Sequence, residues 1–467
     1  MKMANIFKKL FDGMFPFGKS NGFVAITAAL ACLLFSGETA FSQNIPQETE
    51  AIGAVHFLNS LGAVSSVSRR GETMEGTVRC MKYTGLRWLR TGYEDNAPVG
   101  DFIQLHRQAK TKVSYGLLSG HSDLQRLITD ARQLAKAGAL LALEGSNEPN
   151  NWGITYMGEK GGGRDSWLPV AKLHRDLYAA VRNDPDLRTY PVWSTCETGA
   201  QTDNAGLQFL SVPEGASTLM PAGTTFADAA NCHNYITHPS WHGLHNNQTW
   251  LSADPSKNCP VDGLYGNFGN TWLNHFEGYT EEELARLPKV TTETGYAVSP
   301  KDGVTEEVQA RLYLNLYLSQ FKRGWQYTAV YLLKGRANEP EHESYAFYTL
   351  DYKPKQAARY MHNFTSVLAD DKDVRRPGKL SYVICDQPET THDLLLQKSN
   401  GHFVLVLWGE RFADGGTDRI SLRFGKKHRQ ITVYDPTVSV SAVRTFERTD
   451  SLTLDVSDHP LILEIEK

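Results

Sequence analysis

Cysteine is scarce in this chain, with six in 467 residues, and no two of them form a CxxC pair. That excludes a zinc ribbon, a thioredoxin-like redox motif and the dense disulfide framework of small secreted scaffolds. Neither sign of charge dominates. The 48 basic residues face 52 acidic ones for a formal net charge of −4, so there is no general electrostatic pull toward nucleic acid. No apolar run reaches the length of about 20 residues that a comfortable membrane span needs. No solenoid-period repeat or low-complexity segment is present either. What remains, 41% hydrophobic and 21% charged, is ordinary for a globular protein and too long for a single average domain.

The sustained apolar run Phe23–Phe35 follows Lys2, Lys8, Lys9 and Lys19 and precedes Ala40-Phe41-Ser42. Basic region, apolar core and small-x-small site are the layout of a secretory signal peptide, predicted over residues 1–42, with an uncleaved anchor as the alternative. Removal of that leader, with its four lysines against Asp12 and Glu38, makes the remainder about two charges more negative. It leaves Cys80, Cys196, Cys232, Cys259 and Cys385, an odd number. In the secreted or periplasmic setting that a leader implies, one or two bridges among Cys196, Cys232 and Cys259 are expected, with at least one thiol left over.

From Ala51 to about Leu368 short apolar runs alternate with amphipathic stretches. The runs are Ala51–Phe57, Leu86–Leu89, Lys112–Leu118, Leu140–Leu143, Tyr190–Ser194, Ala229–Tyr235, Lys289–Thr292 and Tyr327–Leu333. Helical spacing is clear over Leu124–Ala137, Leu168–Arg182, Glu306–Phe321 and Lys355–Leu368. Strand alternating with helix eight times predicts an α/β fold, a (β/α)8 TIM barrel over residues 43–370. A doubly wound sheet would call for a glycine-rich first turn, which is missing. Two polar segments, Gln201–Ala227 and Thr237–Tyr279, break the helical pattern and are expected to cap the C-terminal face of the barrel. Beyond residue 370 the period falls to two, with turns at Asn400-Gly401, Asp414-Gly415-Gly416 and Asp435-Pro436. Eight short strands there predict an all-β sandwich domain over residues 371–467.

The densest chemical signal is Leu140-Leu141-Ala142-Leu143-Glu144-Gly145-Ser146-Asn147-Glu148-Pro149, an apolar strand running into a proline-stopped loop. At period two, Glu144, Ser146 and Glu148 share a face. A second strand, Pro288 to Tyr296, carries Glu293 at its C-terminal end; Glu197, in Ser194-Thr195-Cys196-Glu197-Thr198-Gly199, is its rival in the same Glu-Thr-Gly context. Two carboxyl groups about 5–5.5 Å apart on one barrel face are what a retaining glycosidase requires, one as nucleophile and one as acid and then base.

In order and spacing, residues from Ala51 to Leu368 resemble glycoside hydrolase clan A, nearest its family 39 and family 5 types. The resemblance implies that Glu148 is the general acid/base on the fourth strand and that Asn147 before it binds the sugar 2-hydroxyl. It favours Glu293, on the seventh strand, over Glu197 as the nucleophile. It implies that Arg90 on the second strand and Tyr235 on the sixth contact the nucleophile, and that His233 lines the same subsite. Glu148 is then expected to have a raised pKa, so that it can donate a proton near neutrality. The clan usually has a tryptophan on its eighth strand; Tyr331 stands there instead. Aromatic platforms for sugar C–H faces are sought in Trp152, Tyr296, Trp241, Trp272 and Tyr331, each of which could equally serve loop packing.

Several residues have plainer readings. Glu144 lies deeper in the barrel and is expected to pair with Arg87 or Arg90. Glu339, in a second Asn-Glu-Pro at Asn338-Glu339-Pro340, is expected to be a solvated loop carboxylate. The histidines of His238–His245 lack helical spacing, since Pro239 and Gly243 oppose a helix, so no metal site is expected. Gly161-Gly162-Gly163-Arg164 lacks the Lys-Ser/Thr of a phosphate loop. The reading is a secreted retaining glycoside hydrolase that acts on a carbohydrate, with no cofactor, no nucleic-acid partner and no membrane span once the leader is gone. A transglycosylase on the same two glutamates and a non-catalytic carbohydrate-binding barrel are the alternatives.

Overall fold

A computed structural model describes residues 44–466 except 94–96, 150, 163–164, 197–225, 239–240, 257, 262 and 265–280. The expected leader over residues 1–42, Glu197, Trp272 and most of the two long polar segments therefore lie outside the described residues. No helix among the described residues is long and apolar enough to cross a membrane.

Eight parallel strands form the first sheet: β1 Leu61–Val64, β2 Trp88–Gly92, β3 Lys112–Leu117, β4 Leu140–Ser146, β5 Val192–Trp193, β6 Ala230–Cys232, β7 Lys289–Thr294 and β8 Trp325–Val330. They pair in chain order, β8 pairs with β1, and a Trp193–Ala229 bridge joins β5 to β6, so the sheet closes into a TIM barrel. Helices α1 Met74–Thr84, α2 Val99–Ala109, α3 Leu124–Lys136, α4 Leu168–Asn183, α5 Glu306–Lys322 and α6 Gln356–Leu368 surround it. Their starts follow local chemistry. Thr73, Asp123 and Thr305 each accept the amide three residues on, satisfying a backbone N–H that the helix cannot.

The first expected strand, Ala51–Phe57, is not part of the barrel. Ala54–Asn59 is a helix whose Ala54, Phe57 and Leu58 are buried, a spacing of three and four, and Leu61–Val64 takes the first barrel position. Before that helix, Gln47–Glu50 and Ile52–Gly53 are strands of the second sheet.

Period two along the strands stacks the barrel interior in layers. Trp88, Trp193 and Tyr327 fill the lower one with ring centroids 5.3–5.9 Å apart, Trp88 edge to face with the other two and Trp193 tilted against Tyr327. Gly62 makes room for them, because a Cβ there would lie 2.3 Å from the Trp88 indole. One step further up the same strands come Arg90 after Trp88, Glu144 after Ala142, Asn231 after Ala229 and Thr292 after Val290, all buried. An apolar floor thus carries a polar layer facing the C-terminal mouth.

The second sheet contains β9 Lys379–Cys385, β10 Thr391–Gln397, β11 Phe403–Gly409, β12 Asp418–Tyr434, β13 Ala442–Val456 and β14 Pro460–Ile465. Eight strands were expected here, but the stretches Arg419–Phe424 and Gln430–Tyr434 are one strand, as are Ala442–Phe446 and Leu452–Val456. A register shift between Arg423 and His428 bends this long pair instead of ending it. The first half of β12 pairs with β9 and the second with β14, so one continuous sheet folds over its own core of Leu380, Phe403, Leu422, Ile431, Leu463 and others. Its outer face, with Leu396, Val404, Val406 and Trp408, shares the barrel's core and lies on α5. There Asn315 donates to Gly409 O at 2.7 Å, and the buried Glu410 carboxylate accepts from Thr249 and Ser319.

Candidate active site

Arg90 is the middle residue of β2 and turns inside the barrel. Its Nε and Nη2 donate to Glu144 at 2.8–3.3 Å, its Nη1 to Glu293 Oε1 at 2.5 Å and its Nη2 to Asn147 Oδ1 at 2.7 Å. Of the two partners expected for Glu144, the arginine is therefore Arg90. Burial pushes the Glu144 carboxyl up, but Arg90 outweighs it and holds the group below the usual carboxylate range. The Arg90 guanidinium is likewise held firmly charged by the two carboxylates despite its burial.

Two backbone irregularities aim the glutamates. On β7 the register shifts between Thr291 and Thr294, so that Thr292 bonds inside the barrel while Glu293 also turns into the site. On β4 Gly145 takes up an extra residue opposite the Gly116–Leu117 step; a Cβ on Gly145 would lie 2.6 Å from Thr195 N and 2.7 Å from His174 Nδ1. Simple alternation from Glu144 to Glu148 is thereby interrupted. Glu148 itself has a φ of 42°, a left-handed conformation that costs a non-glycine residue about 1 kcal/mol or more. Neighbouring strands pin it there: Asn147 N donates to Leu117 O at 2.8 Å and Glu148 N to Cys196 O at 2.9 Å.

Tyr235 donates to Glu293 Oε2 at 2.8 Å. His233 is fully buried, with Nδ1 2.7 Å from Glu148 Oε1 and 3.7 Å from Glu293 Oε2. Its Nε2 lies 3.1 Å from Thr292 Oγ1, which donates on to Glu144 Oε1 at 2.9 Å. Glu148, His233 and Glu293 each present a ligand atom within 4.8 Å of the other two. Arg90, Asn147, Glu148, His233, Tyr235 and Glu293, six residues from four strand ends, thus meet in one place.

The expected rise in the Glu148 pKa is not found. Burial pushes this carboxyl up, but the hydrogen bond and charge of His233, with help from Asn151, hold it below its ordinary value. His233 moves the other way. Burial opposes its charge, yet Cys196, Glu293 and Glu148 raise it well above an ordinary histidine. The proton of the pair therefore rests on the imidazole, a consequence of a 2.7 Å contact that spacing along the chain cannot reveal.

The aromatics divide. Trp152 is 52% exposed, four residues after Glu148, and its amide donates to Glu148 O. Tyr331 lies edge-on to Tyr235 at 6.5 Å, with its hydroxyl tied to His342 and Arg336. Tyr296 is buried and donates to Gly243 O, so it packs the loop and is no platform. Trp241 stacks on His245 at 4.3 Å. Glu339 is not simply solvated: Arg70, Arg336 and His342 all bind it. Among the described residues, Cys80, Cys196, Cys232, Cys259 and Cys385 form no disulfide with one another. Cys196, expected in a bridge, instead donates its thiol to Glu144 Oε1 at 3.6 Å and accepts from Arg90 at 3.7 Å. Among the described residues, the His/Cys/Asp/Glu groups close enough to share an ion lie in this site and not at His238–His245.

Sequence reasoning passed over Thr292, Asn231, Ser114 and Cys196 as site residues. Asn231 donates to Glu144 and Thr292, and Ser114 donates to Glu144. A polar side chain inside an otherwise apolar barrel strand was the available signal.

No family model and no curated protein matches this chain. Solved structures do. A family 39 glycoside hydrolase from the gut symbiont Bacteroides cellulosilyticus WH2 aligns with a TM-score of 0.53 at 15% identity, over 89% of this chain and 82% of that one. CelM2, a bifunctional glucanase-xylanase from a metagenome library, gives 0.51 at 12% identity over 90% and 99%. A GH39 β-xylosidase from Caulobacter crescentus gives 0.50 at 11% identity over 91% and 99%. The chain has the barrel-plus-β-domain fold of family 39 and related clan A glycoside hydrolases, at identities that assign no family.

Proposed function

We propose that the protein is a secreted retaining β-glycosidase acting on a polysaccharide or oligosaccharide, with Glu293 as nucleophile and Glu148 as acid/base. One observation carries the reading: the two carboxylates present oxygens within 4.8 Å of each other. Oxygens that close are compatible with the about 5–5.5 Å between the carboxyl groups of a retaining pair. Arg90 and Tyr235 donate to Glu293, which suits a group that must stay ionised to attack the anomeric carbon.

In the first displacement Glu293 Oε forms the bond to the anomeric carbon as the glycosidic bond breaks. The leaving oxygen takes a proton from Glu148. With the resting proton on His233, Nδ1 hands it across the 2.7 Å contact to Glu148 Oε1 once sugar occupies the site. In the second step Glu148 takes a proton from water, whose oxygen displaces Glu293 with a second inversion. Asn147, held between Arg90 and Ser119, faces this pair from the acid/base side and is assigned to the sugar 2-hydroxyl. Trp152, exposed beside Glu148, is assigned to a sugar face, whereas the Tyr331 ring already carries the Arg336 guanidinium at 5.4 Å. The predicted leader supports export.

The test is a panel of aryl β-glycosides and plant and bacterial polysaccharides. Glu148→Ala is expected to lose about 10²–10⁴ in rate on substrates with poor leaving groups. Glu293→Ala is expected to be inactive alone and to yield a glycosyl azide of inverted configuration with added azide. Full activity in either variant overturns the assignment.

A further inference from the structure

At the C-terminal mouth of the barrel the carboxylates of Glu148 and Glu293 and the imidazole of His233 each present a ligand atom within 4.8 Å of the other two.

The ligand atoms are spaced for a divalent ion. Zinc bound at about 2.0–2.2 Å in a tetrahedron holds its ligands about 3.4 Å apart. His233 Nδ1 is 2.7 Å from Glu148 Oε1 and 3.7 Å from Glu293 Oε2, values on either side of that spacing. The orientation is also provided. With Nε2–H donating to Thr292 Oγ1 at 3.1 Å, the neutral ring turns its Nδ1 lone pair toward the two carboxylates, the outer-shell arrangement of zinc-binding histidines. Arg90 engages the other oxygen of Glu293, Oε1, and Tyr235 donates to Oε2, which keeps lone-pair capacity. The neighbouring group of Glu144, Cys196 and His233 fits worse, because Arg90 donates to both oxygens of Glu144 and lies 3.7 Å from the Cys196 sulfur.

We propose that Glu148, His233 and Glu293 form a high-affinity site for zinc or a similar borderline transition metal, and that an ion bound there blocks turnover in competition with substrate. The ion binds as the Nδ1 proton leaves to solvent, and water completes the shell. One nitrogen and only two carboxylates disfavour calcium and magnesium, which seek oxygen ligands in larger number or keep their own water. The site rests on geometry alone; the block of turnover rests on the glycosidase reading.

The experiment is equilibrium dialysis of the full chain against zinc, with His233→Gln and Thr292→Val beside it, and inhibition kinetics on an aryl glycoside at fixed pH. Wild type is expected to hold one zinc per chain more than His233→Gln. Thr292→Val, which leaves the three ligands in place but removes the outer partner of His233 along with bonds to Glu144 and Asn231, is expected to weaken zinc about tenfold or more. Zinc, and not magnesium at equal concentration, is expected to raise the apparent KM with little change in kcat. Equal zinc content in wild type and His233→Gln overturns the proposal, as does inhibition that added substrate does not relieve. If His233→Gln does not fold, unchanged zinc affinity in Thr292→Val overturns it. A chain that binds this zinc and hydrolyses no glycoside would keep the site and sink the function instead.

Discussion

Arg90 illustrates how much of the site hangs on single side chains. Its planar fork reaches Glu144, Glu293 and Asn147 together, and no ammonium can match that geometry. Arg90→Ala leaves two buried carboxylates without their cation and is expected to cost about 3–5 kcal/mol, read as a fall in the urea midpoint. Arg90→Lys should recover part of that stability but little activity, since one point charge cannot orient both glutamates. Positions near strand ends are legible from sequence: Glu293 stands one residue before β7 ends, Arg90 two before β2 ends and Tyr235 three beyond β6. The state of Glu148 is not. Its depressed pKa comes from His233, 85 positions away along the chain, and from burial that no local pattern encodes. Cys196 was misread for a similar reason. Compartment suggested a bridge, whereas the thiol's partners are an arginine and a glutamate brought in by other strands.

Elements follow the same division. Helices with a clear three-and-four spacing were placed within a residue or two; Glu306–Lys322 and Leu124–Lys136 are examples. The first barrel strand escaped notice because Leu61–Val64 is four residues long and contains a glycine, while the more apolar run before it folds as a helix. The β-domain strands are longer than expected because the apolar alternation lapses over Gly425-Lys426-Lys427 while the chain bends there without leaving the sheet. Gly62 tests the packing of the barrel floor. Gly62→Ala puts a methyl 2.3 Å from the Trp88 ring. The strain is expected to cost about 1–3 kcal/mol, seen as a lower melting temperature. A partner change, Trp88→Phe, should relieve some of it when combined with Gly62→Ala, and a double-mutant cycle would measure the coupling.

At the scale of the whole molecule, the barrel and the second sheet are joined through a buried carboxylate. Burial drives the Glu410 pKa up to about 7, only partly offset by hydrogen bonds from Thr249 and Ser319. The folded chain therefore keeps a proton that the unfolded chain gives up nearer pH 4.5. The stability this confers is fully present below that pH and is lost as the pH rises through about 7, with a total near 3 kcal/mol. Glu410→Gln should flatten this part of the profile, which urea unfolding below about pH 5 and above about pH 7 will show as a smaller difference than in wild type. The strands at Gln47–Glu50 and Ile52–Gly53 have a further effect. They find their partners in β9 and β10, and the contact between Asn44 and Asp386 spans 342 positions. A ribosome delivers one side of that seam long before the other, so the earliest strands wait with open edges while the entire barrel is made. Closure of that seam thus waits until β9 and β10 have been made, a long-range pairing built into the order of synthesis.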